Sequence, residues 1–148
     1  MSPSQFLLLT VALTAVAAAI QLAVRRRHVR RLRRLAAEWK MHFIAADRFK
    51  LAPRVAEWLP VPGAAGVRVF DLIYGIEREN YRYVFATEYT VGVLRTKTGW
   101  RRVATFSEPR DASAGGTRSE LVFAPPNLPL IEQYQHLRTQ TTSAEPRP

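Results

Sequence analysis

The hydrophobic and polar positions of this chain change their spacing along its length, and each spacing predicts a different element. Phe6 to Val24, FLLLTVALTAVAAAIQLAV, is an uncharged apolar run with Thr10, Thr14 and Gln21 as its polar members. Wound as a helix it spans about 28 Å, close to the roughly 30 Å of a bilayer hydrocarbon core. A helix also satisfies its own backbone groups, as lipid requires. A helical period follows. Leu32, Leu35, Ala36, Trp39, Phe43 and Ile44 form one apolar stripe, and residues 25–46 hold neither Gly nor Pro, which predicts one helix continuous with the apolar run. Asp47 reads as its stop, because Pro53 follows and biases the residue before it away from helix. Arg54 to Leu59 reads as a short second helix with Pro53 at its first position. Pro60, Pro62, Gly63 and Gly66 then break the chain.

From Val67 the pattern is that of strands. VRVFDLIYGI is rich in β-branched and aromatic residues; EREN (Glu77 to Asn80) fits a turn; YRYVFATEYTVGVL (Tyr81 to Leu94) is a long strand with a bend at Gly92. Lys97-Thr98-Gly99 signals a hairpin, Trp100 to Phe106 a third strand, and Ser119 to Phe123 a fourth, after a loop over Pro109 to Thr117 that is softest at Gly115-Gly116. Short connections favour antiparallel neighbours, so the expected fold is α+β. A transmembrane helix continues into an amphipathic helix, then comes a small antiparallel meander of about four strands with a short C-terminal helix over Leu130 to Leu137. The two helices, 30–46 and 130–137, are the expected covers of the sheet. The expected boundaries are an anchor over 1–24, a basic juxtamembrane helix over 25–48, a linker with a short helix over 49–66, a β-rich domain over 67–138 and a disordered polar tail over 139–148.

Charge adds a location to this outline. The net charge is +10, and Arg25, Arg26, Arg27, Arg30, Arg31, Arg33 and Arg34 supply most of it. No acidic residue precedes Glu38, and the rest of the chain is close to balanced. The arginines follow the apolar run and none precedes it. The positive-inside rule then predicts a single-pass anchor of the inner (plasma) membrane, N-terminus outside and domain in the cytoplasm. A cleaved signal peptide is the competing reading of the run. Its lead lacks positive charge, whereas Ala15 to Ala19 would suit a cleavage site. A twin-arginine signal is excluded, since its arginines would come first.

The arginine cluster is the main candidate site. Beside an anionic leaflet each basic side chain contributes on the order of 1 kcal/mol, which points to lipid headgroups; the plainer reading is that the arginines only set topology. A nucleic-acid tether is a further reading, as clustered arginines also neutralise nucleic-acid phosphates.

No catalytic constellation is legible, and no cofactor or metal site is expected. Cys is absent, which removes thiolate chemistry and disulfides. His28, His42 and His136 lack ligand spacing. Glu77/Glu79 and Glu108/Asp111 fall in a turn and a loop and read as solvated. Ser107 and Ser113 lack a nucleophile elbow, and Gly63 to Gly66 is too short for a phosphate loop. Trp39 reads as core, Trp58 as packing or an interfacial anchor, and Trp100 as a cross-strand partner or exposed contact. Tyr74, Tyr81, Tyr83 and Tyr89 make the hairpin aromatic, from cross-strand packing or as a face for a protein partner.

Several stretches carry a resemblance: Leu35-Ala36, Asp47 with Phe49, Gly75, and Phe85 to Thr90, within residues 32 to 128. Their order resembles a loose group of uncharacterised bacterial membrane proteins, with an N-terminal anchor, an "LAxxxG" helix, a "D-x-F" segment, a strand closing in Gly and an "FDYxYT" strand. Lys40-Met41 stands where that pattern usually has Gly. The resemblance implies the architecture and no activity. The expected role is therefore a non-enzymatic, membrane-anchored interaction module that contacts anionic lipid and a protein partner, with a homo-oligomer possible. The alternatives are an enzyme or accessory subunit with an unrecognised pocket, and a membrane-tethered nucleic-acid binder.

Overall fold

The computed structural model describes residues 2–92, 98–111 and 119–143, and the chain divides into two compact units, residues 1–31 and 32–148. The first unit is the greater part of helix α1 (Pro3–Glu38). Ser2 and Gln5 form a reciprocal cap at its start: the Ser2 N–H donates to Gln5 Oε1 at 3.0 Å, and the Gln5 N–H to Ser2 Oγ at 3.4 Å. Pro3 occupies the first helical position, where a missing N–H costs no bond. Thr10 and Thr14, polar members of the apolar run, donate their hydroxyls back to the carbonyls of Phe6 and Thr10 at 2.9 and 2.8 Å. They therefore present little unsatisfied polarity to an apolar surrounding. The large apolar side chains from Phe6 to Val24 are exposed. This helix is long and apolar enough to cross a membrane, a property shared by membrane spans and by signal sequences near an N-terminus.

The second unit begins with the last turns of α1, where Leu32, Leu35 and Ala36 are buried. The helix ends earlier than its apolar stripe predicts. The Met41 N–H bonds the Ala36 carbonyl at 2.9 Å and the Lys40 N–H bonds the Ala37 carbonyl at 3.0 Å, while Lys40 takes φ 56°. This is a Schellman ending with lysine at the left-handed position that usually holds glycine. Phe43 and Ile44 keep their apolar role but serve it from a strand, β1 (His42–Ala46), which the helical spacing concealed. Pairing with the strand Ala64–Glu77 overrides the local period.

After β1, Asp47 caps helix α2 (Leu51–Trp58): its two carboxylate oxygens accept the N–H groups of Leu51 and Ala52, each at 2.9 Å. Asp47 is thus a helix start rather than a stop. Pro53 still lies in the first turn, where its ring is tolerated.

Among the described residues the sheet has five antiparallel strands, one more than expected, each paired with the next in chain order. The remaining strands are β2 (Ala64–Glu77), β3 (Asn80–Val91), β4 (Thr98–Pro109) and β5 (Glu120–Phe123). The EREN turn is a two-residue connection, Glu77 pairing with Asn80, with Arg78 and Glu79 both at positive φ (50° and 68°). β2 is irregular between Phe70 and Ile73, where Asp71 sits at φ 52°. β3 pairs with β4 without a break from Asn80↔Pro109 to Val91↔Thr98. Thr98 and Gly99 of the expected hairpin are already strand; Lys97, Leu94 and the Gly115-Gly116 loop lie outside the described residues.

Both faces of the sheet are covered. On one, Leu32, Leu35 and Ala36 of α1 and Tyr134 and Leu137 of α3 (Leu130–Ser143) pack on Ile73, Val84 and Val103. These are the two expected covers. On the other, Leu51 and Val55 of α2 pack on Val69, Leu72, Phe85 and Phe106. β3 lies between the two layers, and Arg82 to Thr87 are all buried. α3 runs to Ser143, longer than expected, so residues 139–143 are helix rather than disordered tail. Ala144 to Pro148 lie outside the described residues.

Candidate functional site

The arginines of the first candidate site are all exposed on α1. In the first unit, Arg26, Arg27 and Arg30 border a shallow groove of about 360 Å³ with Ala19, Leu22 and Ala23. Apolar floor and guanidinium rim meet there, because residues three and four apart share one helix face. In the second unit, Arg33 and Arg34 point away from the buried Leu32, Leu35 and Ala36, and the Arg33 guanidinium lies 5.9 Å from the Phe43 ring centre.

The other site is one that sequence reasoning did not assemble. α2 is short, and β2 and β3 run on past its start toward their Arg78-Glu79 turn. The uncovered part of that face forms an aromatic groove of about 680 Å³. Lys40, His42, Phe49, Tyr74, Gly75, Ile76, Tyr81 and Tyr83 line it. Register builds its floor: His42 pairs with Tyr74, Tyr74 with Tyr83, and Ile76 with Tyr81, so these side chains stand on one face. Phe49 closes the α2 side, meeting Tyr74 edge-on at 4.8 Å and Tyr83 at 5.7 Å between ring centres. His42 lies 5.3 Å from Tyr74. The groove opens to solvent at Ile76 (58 % exposed), Tyr81 (38 %) and Phe49 (37 %).

Its electrostatics are one-sided. The Arg54 guanidinium donates to both Glu108 carboxylate oxygens and, at 3.0 Å, to the Phe49 carbonyl, so the Glu108 carboxylate is already matched. Burial, with the Glu108 charge adding to it, raises the Tyr83 pKa above the ordinary phenol value against the opposing Arg54 charge. Tyr83 is therefore a neutral hydroxyl. Among the described residues, Lys40 has no carboxylate partner, and the His42 ring and the Tyr74 and Tyr81 hydroxyls have no hydrogen-bond partner.

The remaining candidates are dispersed. His28 is on α1 and His136 on α3, and neither lines the groove. Among the described residues no three His, Asp or Glu side chains converge as a metal site. Glu77 pairs with Arg82 and Arg138, while Glu79 sits in the turn, so the two are not a carboxylate pair. Trp39 is half-buried beneath Arg138, at 5.6 Å, and Trp58 is 47 % exposed. The side chains of Ser113 and Trp100 lie outside the described residues. A smaller apolar hollow of about 340 Å³ lies between Val61, Tyr89, Val91, Arg102 and Pro126. Arg102 is held there by the Ala124 carbonyl at 3.2 Å and the Phe123 ring at 4.6 Å.

Compared with family models, curated proteins and solved structures, the chain finds no match in any of the three. Any functional reading therefore rests on this chain's own residues.

Proposed function

We propose that the protein is a single-pass component of an inner (plasma) membrane, N-terminus outside, with a non-enzymatic binding domain on the cytoplasmic side and an arginine collar on anionic lipid. The observation that carries this reading is the order along α1. An exposed apolar run of bilayer length is followed at once by exposed arginines, with no acidic residue before Glu38 to neutralise them. Positive charge at that end favours the cytoplasmic side, and the headgroup phosphates of an anionic leaflet are the nearest counter-charges there. The buried, helix-covered sheet supports a partner surface at its open margin rather than across its faces.

Two measurements test this. A reporter active only in the periplasm, fused after Pro148, stays dark while a cytoplasmic reporter at the same site is active; the reverse pattern overturns the topology. For the collar, the chain is extracted with its surrounding lipid in polymer nanodiscs and the lipid weighed by mass spectrometry. Anionic phospholipid is enriched around the native chain and falls to the bulk fraction when the seven collar arginines become glutamine, with the domain's melting temperature unchanged. Equal enrichment in both reduces the arginines to topology markers.

A further inference from the structure

We propose that the aromatic groove between β1, β2, β3 and the start of α2 is a binding site for an anionic ligand with a flat apolar body, such as an aromatic carboxylate, sulfonate or phosphate ester. Its volume, about 680 Å³, is in the range of small-molecule sites. Three rings, Phe49, Tyr74 and Tyr83, meet edge-on or tilted and leave a slot, with Tyr81 and Ile76 on its open side. Stacking and edge contacts favour a flat apolar body in such a slot.

Charge selects the anion. Among the described residues no carboxylate lines the slot, and Lys40 is the charged side chain of its lining, without an ion pair among those residues; Glu108, the partner of Arg54, is already matched. The His42 ring and the Tyr74 and Tyr81 hydroxyls add hydrogen-bonding groups around the same space, none used within the protein among the described residues. A cation would meet Lys40 with no compensating carboxylate among the described lining residues. A neutral aromatic would fill the slot and leave the ammonium unmatched. Lysine is also held here at a backbone cost. Lys40 takes φ 56° at a helix ending where glycine is the unstrained residue. Strain retained beside an open, chemically equipped groove is the kind of outlier that marks a ligand clamp.

The test uses the full chain in phosphatidylcholine nanodiscs, titrated with naphthalene-2-sulfonate by calorimetry against empty nanodiscs. Saturable one-to-one binding is expected, and the uncharged 2-naphthalenemethanol binds about tenfold more weakly, the factor a charge-assisted hydrogen bond provides. Lys40→Gly is the informative variant. It removes the ammonium but suits the left-handed backbone, so affinity falls about tenfold while the melting temperature rises, an outcome misfolding does not produce. Tyr81→Ala, on the exposed side of the slot, weakens the sulfonate and the neutral analogue alike. No saturable binding, equal binding of the two probes, or affinity unchanged by Lys40→Gly overturns the proposal. Repeating the titration in phosphatidylglycerol nanodiscs identifies the source of the anion. Unaltered affinity, with empty nanodiscs of the same lipid as the blank, supports a free ligand; loss of binding to that bilayer means a headgroup without a flat body fills the slot, which overturns the proposal. The outcome is independent of the arginine collar, which the nanodisc lipid measurement tests by itself.

Discussion

Arg82, 2 % exposed near the turn end of the central strand β3, donates its guanidinium to the Glu77 carboxylate across the β2–β3 hairpin. It also donates to the Leu137 carbonyl at 2.9 Å, and Arg138 reaches the other Glu77 oxygen at 2.9 Å. One carboxylate thus ties the hairpin to α3. Burial alone would raise the Glu77 pKa, but the hydrogen bonds and charges of Arg82 and Arg138 outweigh it and hold the carboxyl below its ordinary value. A depressed folded-state pKa contributes stability that is fully present above the unfolded carboxyl value and is lost as pH falls through the folded one. The native domain therefore loses stability below about pH 4.5, and Glu77→Gln loses less over that window because it has already forfeited this part at neutral pH. Urea midpoints at pH 7 and in steps down to pH 3 read both slopes; parallel slopes would remove Glu77 from the acid response.

Arg82 itself is predicted to be far less replaceable than Glu77. Arg82→Met leaves Glu77 with Arg138 and leaves the Leu137 carbonyl without that donor. Each of the lost charge-assisted hydrogen bonds, to Glu77 and to the Leu137 carbonyl, costs about 1.5–3 kcal/mol, together a large share of what a small domain has. The expected result is a domain unfolded, or nearly so, at 25 °C by near-ultraviolet circular dichroism. A stable Arg82→Met domain would mean the buried charge is a net burden that well-packed carbon replaces.

Glycine at position 75 answers to Met41. A Cβ built on Gly75 would stand 2.9 Å from Met41 Cγ, closer than real contacts allow. Met41 closes the helix ending and half-buries beside the core, so it has limited room to yield. Gly75→Ala is expected to cost about 1–3 kcal/mol, as overpacking does. Part of that cost disappears when Met41→Ala is made in the same chain, so the double-mutant cycle shows coupling. Additive losses would mean that the strand backbone, not Met41, requires the glycine.

Several of these relationships were legible in the sequence, and their failures have physical causes. The apolar run, the arginine collar, the stripe at Leu32, Leu35 and Ala36, the EREN turn and the two long strands were each marked by a strong local pattern. β1 was not, because His42 to Ala46 is short and its apolar residues continue the helical spacing of α1; the decision lay in pairing with β2, a contact distant in sequence. The helix ending was hidden for a related reason, since lysine does the work of the usual glycine. The groove went unseen because Lys40, His42 and Phe49 belong to segments read as helix and linker, although the tyrosines of its floor stood out. A left-handed lysine announces nothing in sequence; only φ reveals it.

The buried Tyr134 hydroxyl donates to the Asp71 carbonyl at 2.7 Å, where β2 departs from regular pairing. It anchors α3 to that irregularity. Tyr134→Phe keeps the ring in the core and leaves the Asp71 carbonyl without this donor, with an expected loss of about 1–2 kcal/mol in urea unfolding. Amide exchange sharpens the expectation, since protection should fall around Phe70 to Ile73 more than in β4. Unchanged stability and protection would show that Tyr134 matters through the packing of its ring alone.

The turn at Arg78-Glu79 carries the clearest stabilising change. Both residues adopt the positive φ that a two-residue hairpin needs, and neither is a residue that favours it. A left-handed conformation costs an ordinary L-residue about 1 kcal/mol, a penalty glycine escapes and asparagine reduces. Replacing Arg78-Glu79 by Asn-Gly is therefore expected to raise stability by about 1 kcal/mol or more, seen as a higher urea midpoint with an unchanged slope. Two things limit the gain: the Glu79 carbonyl must still accept the Arg110 N–H at 3.1 Å, a bond the substitution preserves, and Glu77 must remain in register with Asn80. A lower midpoint would mean that the charged side chains of this turn hold the hairpin more strongly than its backbone resists, and the ion pairs around Glu77 would then extend to the tip.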